Sequence, residues 1–199
     1  PSGATSATGS AKRINTSGTQ DDTSCSALAT AASATITPTL MSINQQVGFS
    51  IVKWQAPNNT SLTNPSIPHG LNQTPDFIII KSLDANYQNW MIWHNTFSNS
   101  AADYLQFNTS AKATAGINIW GGSGPSNNLI NFASGSNQGS NNYSNNNHIS
   151  YCWHSVPGYS AFGSYIGTSS ANGPFVYTGF KPAWVMTKAT FTQGDGNAY

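Results

Sequence analysis

Short apolar runs separated by polar, turn-rich stretches dominate this chain, and most of them have the length of a β-strand. Phe77–Ile80 is a continuous apolar run, which predicts a strand buried on both faces. Ile117–Trp120 alternates apolar with polar residues, which predicts a strand with one exposed face. Further strands are predicted at 49–54, 89–93, 104–107, 149–153, 161–166 and 174–177. So many short strands between turn signals favour a β-sandwich.

Composition supports an all-β fold with long polar loops. Of the 199 residues, 38% are hydrophobic but only 7% are charged, against roughly 25% in ordinary globular chains. Glutamate is absent and Arg13 is the only arginine, so the residues that usually cover exposed helix faces are scarce. Residues 133–148 contain almost no apolar residue and predict a long surface loop.

Two stretches repeat one pattern about 110 residues apart. The first repeat, residues 48–81, begins Gly-Phe-Ser-Ile-Val and ends Pro-Asp-Phe-Ile-Ile-Ile-Lys. The second repeat, residues 158–188, begins Gly-Tyr-Ser-Ala-Phe and ends Pro-Ala-Trp-Val-Met-Thr-Lys. The offset is 110 residues at the opening glycines and 107 at the prolines, so the intervening loop is shorter in the second repeat. A period this long indicates a repeated module or two related halves of a domain.

The repeat and the composition together predict three segments. Residues 1–41, rich in Ser, Thr and Ala, are expected to be an extended connector or the tail of a preceding module, because they lack core material. Residues 42–157 are expected to form the β-sandwich module. Residues 158–199 either complete that sandwich or begin a further module. We therefore expect the chain to be a slice of a longer modular polypeptide.

Charge and hydropathy exclude two classes of function. The formal net charge is +1 and no basic cluster exists beyond Lys12 and Arg13, so the chain is not expected to bind nucleic acid. No apolar run approaches the length of about 20 residues that a membrane span needs, so membrane insertion is not expected. Cys25 and Cys152 fit no metal spacing; two free, buried thiols are favoured, and a disulfide is the alternative.

The polar residues do not form a recognisable catalytic pattern. Six aspartates are scattered over loops and strand edges, and Asp76 is expected to cap a turn rather than act as an acid. His94 and His154 each follow a tryptophan, and we expect such histidines to hydrogen-bond the backbone. No Gly-x-Ser-x-Gly elbow is present. The sequence therefore predicts no enzyme activity, no cofactor and no metal site.

Residues 151–165 (YCWHSVPGYSAFGSY) and 172–185 (NGPFVYTGFKPAWV) resemble a domain that recurs in bacteriophage tail-fibre and other virion proteins, many of them from marine phages. The front of the first repeat, with Pro68-His69-Gly70-Leu71, is similar to the front of the same domain. The resemblance covers roughly residues 42–188. It implies an antiparallel β-sandwich of the jelly-roll or concanavalin-like type on a virion surface, and it supplies no catalytic residue.

Aromatic side chains beside loops are the candidate ligand-binding residues. Trp and Tyr rings offer flat apolar faces to sugar rings, while neighbouring amides and carboxylates bind hydroxyl groups. Most of the tryptophans are expected to be core residues. The candidates are Trp120, Tyr143, Trp54, Tyr87 and Tyr165.

We expect a non-enzymatic virion protein, a tail-fibre or surface-appendage module on the extracellular surface of the particle. Recognition of host-surface glycans is an additional role that this class allows. Its expected partners are other virion proteins and copies of itself, with a homotrimer implied by the resemblance. One alternative is a capsid-decorating or head-fibre protein that acts only in assembly; another is a secreted carbohydrate-binding module or carbohydrate-active enzyme.

Overall fold

Nearly all the regular structure in the described part of the chain is β-sheet. The computed structural model describes residues 9–58, 63–84, 88–109, 119–133 and 145–190. The elements in these ranges are β1 (Ser10–Ile14), β2 (Gln20–Ser24), α1 (Cys25–Ala32), β3 (Leu40–Asn44), β4 (Phe49–Gln55), β5 (Ser66–Pro68), β6 (Phe77–Ser82), β7 (Met91–His94), β8 (Leu105–Gln106), β9 (Leu129–Asn131) and β10 (Asn147–Trp153). The all-β prediction is therefore confirmed at the level of class, with one short helix added.

Eight of the strands form one sheet in the order β2-β1-β3-β4-β10-β6-β7-β8. Every pair in it is antiparallel except β1 and β3, which run parallel, so the sheet is mixed rather than purely antiparallel. Strand β10 lies in the middle, between β4 and β6. Strands β5 and β9 form a separate two-stranded sheet.

The two faces of the large sheet differ sharply in burial. Along β4 and β10, alternate residues are buried and half-buried, as expected for strands with one covered face. The covered face supplies Val52, Ile78 and Cys152 to the main core, where Ile67 of β5 and Ile130 of β9 pack as a second layer. The opposite face carries half-buried apolar side chains and a smaller buried cluster of Phe77, Ile92 and Leu105.

Helix α1 was not predicted, yet its local signals are clear. Four of its eight residues are alanine, the strongest helix former. The Ser24 side chain accepts a hydrogen bond from the backbone N–H of Ala27 at the N-terminus, and Ser33 ends the helix in the left-handed conformation at φ 57°. Cys25 and Ala29 are its buried residues, so a segment with little apolar surface still folds against the sheet.

The predicted boundary at residue 41 does not coincide with a break in the sheet. Strand β1 pairs with β3 over its whole length, from Ser10 opposite Leu40 to Ile14 opposite Asn44. Residues 10–32 are therefore part of the same folded unit as β3, not a connector. The polar composition gave no signal for these strands, because β2 is the edge strand of the sheet, β1 lies next to it, and Ala11 is the only buried residue of the two.

The strands predicted in the second repeat are not formed. Residues 161–166 and 174–177 belong to no strand, and they lie largely exposed. Residues 117 and 118 of another predicted strand, and most of the predicted loop at 133–148, lie outside the described residues. In the part of the chain that the structure describes, no helix has the length and apolarity needed to cross a membrane.

Candidate functional site

Both tryptophans predicted to bind a ligand, Trp54 and Trp120, are core residues. Trp54 points to the covered face from β4, is fully buried, and stacks on Phe132 and His148 with ring centroids 5.7 and 5.2 Å away. Trp120 is also fully buried, and its indole Nε1–H donates a hydrogen bond of 2.9 Å to the backbone oxygen of Asp103. Neither ring has a face accessible to a ligand, which corrects their selection as candidates.

Of the remaining predicted candidates, one can be placed. Tyr165 is 53% exposed and belongs to the second repeat. Tyr87 and Tyr143 lie outside the described residues. The predicted residues are therefore not brought together into one site.

Three histidines make the backbone hydrogen bonds expected of structural side chains. The His69 ring hydrogen-bonds the carbonyl of Ser126 through Nε2 at 3.1 Å and accepts from the N–H of Leu71 through Nδ1 at 3.2 Å. Full burial lowers the pKa of His69 to about 4, so the ring is neutral at pH 7. Through Nδ1, His148 bonds the carbonyl of Asn146 and His154 that of Ser155, each at 3.0 Å. Hydrogen bonding to the backbone was predicted for His154 and His94 and is confirmed for both, since the His94 Nδ1 also accepts from the N–H of Thr96 at 3.2 Å.

The carboxylates of the described residues take part in local structure. Asp76 accepts hydrogen bonds from the backbone N–H of Ser155 at 2.6 Å and from the Asn95 amide at 2.7 Å, which ties the end of β10 to the end of β7. The predicted capping role of Asp76 fits these contacts. Asp84 accepts from the backbone and side-chain nitrogens of Asn147, and these bonds lower the pKa of its carboxyl.

Both cysteines are free and buried, as predicted. Burial raises the pKa of the Cys152 thiol to about 12 and that of Cys25 to about 11, so neither is a reactive thiolate at neutral pH. Within the described ranges, no group of three or more His, Cys, Asp or Glu side chains is placed to hold a metal ion.

An aromatic pair beside two amides forms the best candidate site, and the sequence analysis missed it. Trp90, just before β7, is 37% exposed, and Phe107, just after β8, is 44% exposed. Their ring centroids lie 6.4 Å apart with an interplanar angle of 42°. We call Trp90, Phe107 and the flanking Asn89 and Asn108 the aromatic–amide surface.

Hydrogen bonds hold the aromatic–amide surface in place. The backbone N–H of Phe107 donates to the carbonyl of Trp90 at 2.8 Å, and the N–H of Trp90 donates to the Asn108 side-chain oxygen at 3.0 Å. The Asn108 amide nitrogen donates in turn to the side-chain oxygen of Asn89 at 3.0 Å. The two rings are thus fixed at the edge of the sheet, with uncharged amides beside them.

Such a surface suits an uncharged polar ligand that has an apolar face. A pyranose ring can pack its C–H face against indole, while amide groups exchange hydrogen bonds with its hydroxyls. The signal available in the sequence was the pairing of each ring with an asparagine, in Asn89-Trp90 and Phe107-Asn108. The pattern of residues 89–93 predicts a strand that includes both Trp90 and Trp93, so Trp90 is not among the predicted candidates.

Comparison with known proteins gives a family but no described activity. A family model described as a domain of unknown function, DUF7483, matches residues 3–197. No curated protein and no solved structure matches the chain. The family match includes β1, β2 and α1 as well as both repeats, which agrees with a folded unit that begins before residue 41. Because the match extends over almost the whole sequence, the chain belongs to the DUF7483 domain family.

Proposed function

We propose that this chain is a non-enzymatic structural module of a bacteriophage virion, part of a tail fibre or comparable appendage on the extracellular surface of the particle. The proposal rests on the resemblance of residues 151–165 and 172–185 to a domain of such proteins. The β-rich fold is compatible with it, and we include in the proposal the finer assignment to a jelly-roll or concanavalin-like sandwich. Other virion proteins and copies of the chain itself are its partners.

We further propose that the module recognises host-surface glycan, and the observation that carries this is the aromatic–amide surface. Two partly exposed rings are held by hydrogen bonds beside two amides, without a charged side chain among the four residues. Polar sugars are bound well by amides and aromatic rings together and need no long-range electrostatic attraction. A chain with only 7% charged residues fits such a ligand.

The glycan proposal is tested by binding to a panel of purified bacterial surface polysaccharides, followed by titration of those that bind. Trp90→Ala should weaken binding about tenfold, equivalent to about 1.4 kcal/mol, because the larger ring face is lost. Leu83→Ala is the matched control, since Leu83 is also an exposed apolar residue but lies outside this surface. Absence of binding to the whole panel, or equal binding by Trp90→Ala, would contradict the proposal.

The virion assignment is tested separately by locating the chain in a reconstruction of the whole particle. We expect it on an external appendage. A position inside the capsid shell would contradict the assignment even if a polysaccharide bound in solution.

A second candidate function is assembly alone, as in a capsid-decorating or head-fibre protein. The observation that favours it is the set of exposed apolar side chains in the second repeat, which are typical of a surface that another protein covers. A particle location on the head, together with no polysaccharide binding, would favour this candidate over glycan recognition.

A further inference from the structure

The face of the large sheet opposite the main core is apolar; a small buried cluster of Phe77, Ile92 and Leu105 covers its β7–β8 end, while its side chains over β4 and β10 are only half-buried. Its half-buried side chains point away from the main core and come from three adjacent central strands. We call it the open face. Its residues are Phe49, Ile51, Ile79, Ile149, Tyr151 and Trp153. The registers place Ile51 opposite Tyr151 and Tyr151 opposite Ile79, so these side chains form a continuous band across the sheet.

The second repeat has the opposite property: it carries large apolar side chains that are not packed in a core. Phe175 is 89% exposed, Tyr177 82% and Trp184 75%. Ile166 and Val185 are exposed as well. Folded chains rarely leave so many large apolar side chains in water unless another surface covers them.

Among the described residues, the backbone of this segment forms no backbone ladder. Between residues 163 and 190 no backbone-to-backbone hydrogen bond is made within the described part of the chain. Pro174-Phe175-Val176-Tyr177 and Trp184-Val185-Met186 nevertheless have the aromatic and β-branched composition typical of strands. Apart from the Asn172 N–H and the Phe180 carbonyl, which bond to nearby side chains, the described residues 163–188 combine strand-like side chains with unpaired backbone groups, as a sheet edge does.

The segment begins on the open face itself. Phe162 stacks on Phe77 at the end of that face, with ring centroids 5.8 Å apart and an interplanar angle of 17°. Phe77 in turn lies 5.5 Å from Trp153, so Phe162 extends the aromatic band. Farther along, the Lys188 Nζ donates a hydrogen bond of 2.6 Å to the carbonyl of Thr109. Residues 163–187 lie between these two attachment points.

We propose that residues 163–188 of one molecule lie across the open face of a second molecule of this chain, in a closed assembly of identical copies. Each molecule offers one open face and one unpartnered segment, so identical molecules satisfy both features in equal number. Exchange of an identical segment between protomers is a low-cost route to such assemblies. Phe162 places the start of the segment at the end of the open face of its own molecule, and in the exchanged arrangement the segment continues from there onto the equivalent face of the neighbour.

Charge complementarity makes no contribution to this contact. The segment carries Lys181 and Lys188 and no acidic residue, while the open face is bordered by Lys53 and Lys81 on the same side of the sheet. The contact must therefore be formed by apolar burial rather than by ion pairs. The exposed aromatic residues of the segment supply the apolar surface.

Sedimentation of two complementary variants tests the pairing. In the face variant, Ile51→Lys and Tyr151→Lys put charges on the open face and leave the segment intact. In the segment variant, Phe175→Ser, Tyr177→Ser and Trp184→Ser leave the face intact. Wild-type protein should sediment as an oligomer and each variant as a monomer. An equimolar mixture should recover a heterodimer, because one working face then meets one working segment. Leu83→Ser is the control that keeps the wild-type oligomer.

Cross-linking of wild-type protein gives a readout that does not depend on the folding of variants. Chains labelled with ¹⁴N and ¹⁵N are mixed, allowed to exchange and cross-linked, and the peptides are identified by mass. Mixed-isotope peptides joining residues 163–188 to β4, β6 or β10 support the proposal. A monomeric wild type overturns it, as do an oligomer without such peptides and a mixture of variants that does not associate.

Discussion

The two repeats share a sequence pattern, but only the first of them is part of the sheet. The first repeat supplies β4 and β6, which lie on either side of β10 at the centre of the sheet. In the second repeat, residues 161–188 form no strand, and its aromatic residues lie exposed. At aligned positions, Ile78 is fully buried whereas Val185 is exposed.

This difference between the repeats shows which structural features are set by nearby residues and which require tertiary contacts. Two pairs of aligned glycines adopt left-handed backbone conformations, with φ 65° at Gly48 and 76° at Gly158, and φ 76° at Gly70 and 80° at Gly179. Turn geometry is therefore specified by nearby residues in either context. Strand formation is not specified by nearby residues alone, because a strand requires a pairing partner. In the first repeat, β4 and β6 both pair with β10.

The largest expected effect comes from truncating the aligned apolar residues. Ile78→Ala should lower the free energy of unfolding by about 2–5 kcal/mol, since it leaves a cavity beneath the central strands. Val185→Ala, in the second repeat, should change it by less than about 0.5 kcal/mol. Urea unfolding at a protein concentration where the chain is monomeric measures both. Similar losses would mean that the second repeat packs into the monomer core.

A smaller difference is expected at the aligned glycines. An alanine at either position adopts an unfavourable left-handed conformation, which costs about 1–2 kcal/mol. At Gly70 the added Cβ would also collide with the Ile43 side chain, whereas at Gly179 no atom lies close to it. Gly70→Ala should therefore destabilise the fold by about 1–3 kcal/mol more than Gly179→Ala. Thermal unfolding of both variants checks this, and equal shifts would contradict it.

The smallest expected effect concerns pH. His69 of the first repeat is replaced by Thr178 at the aligned position of the second. Because burial lowers the folded-state pKa of His69 to about 4, the unfolded chain takes up a proton at higher pH than the folded chain does. Stability should therefore fall as the pH decreases from about 6.5 towards 4, by up to about 1.4 kcal/mol per pH unit for this residue.

The histidine prediction is checked by urea unfolding between pH 6.5 and 5, above the range in which the carboxylates titrate. His69→Gln should reduce the slope of stability against pH. Thr178→Gln is the matched control from the second repeat and should leave the slope unchanged. An unaltered slope in His69→Gln would show that the unfolding equilibrium does not depend on protonation of this residue.

The centre of the sheet could be predicted from the sequence because its strands carry the strongest apolar patterns. Phe49–Gln55, Phe77–Ser82 and Asn147–Trp153 all agree with predicted strands to within a few residues. The edge strand β2 could not be predicted, because its sequence, Gln-Asp-Asp-Thr-Ser, has no apolar residue. Backbone hydrogen bonds to β1 and ion pairs such as Arg13 with Asp21 hold it in place. Helix α1 could not be predicted because its buried residues, Cys25 and Ala29, are small and give no strong apolar pattern.

The candidate site was harder to predict than the fold. Period-two alternation explains the burial of Trp54 once β4 is placed, but the burial of Trp120 in a turn depends on packing that no local pattern encodes. Exposure of Trp90 and Phe107 depends on the shortness of β8, which pairs only Leu105 and Gln106 with β7. Burial of an aromatic side chain is decided by its tertiary neighbours, so the sequence identified candidate rings without ranking them correctly.

The central position of β10 has a consequence for how the chain folds. Strands β2, β1, β3 and β4 form one half of the sheet and β6, β7 and β8 the other, and β10 is the strand that joins them in the described structure. During synthesis, the halves cannot be joined until residues 147–153 have left the ribosome. Until then β4 and β6 are unprotected edges with apolar side chains, including three consecutive isoleucines in β6, the kind of nascent species that associates with its neighbours. A single late strand thus sets the period during which the growing polypeptide is most exposed to misassembly.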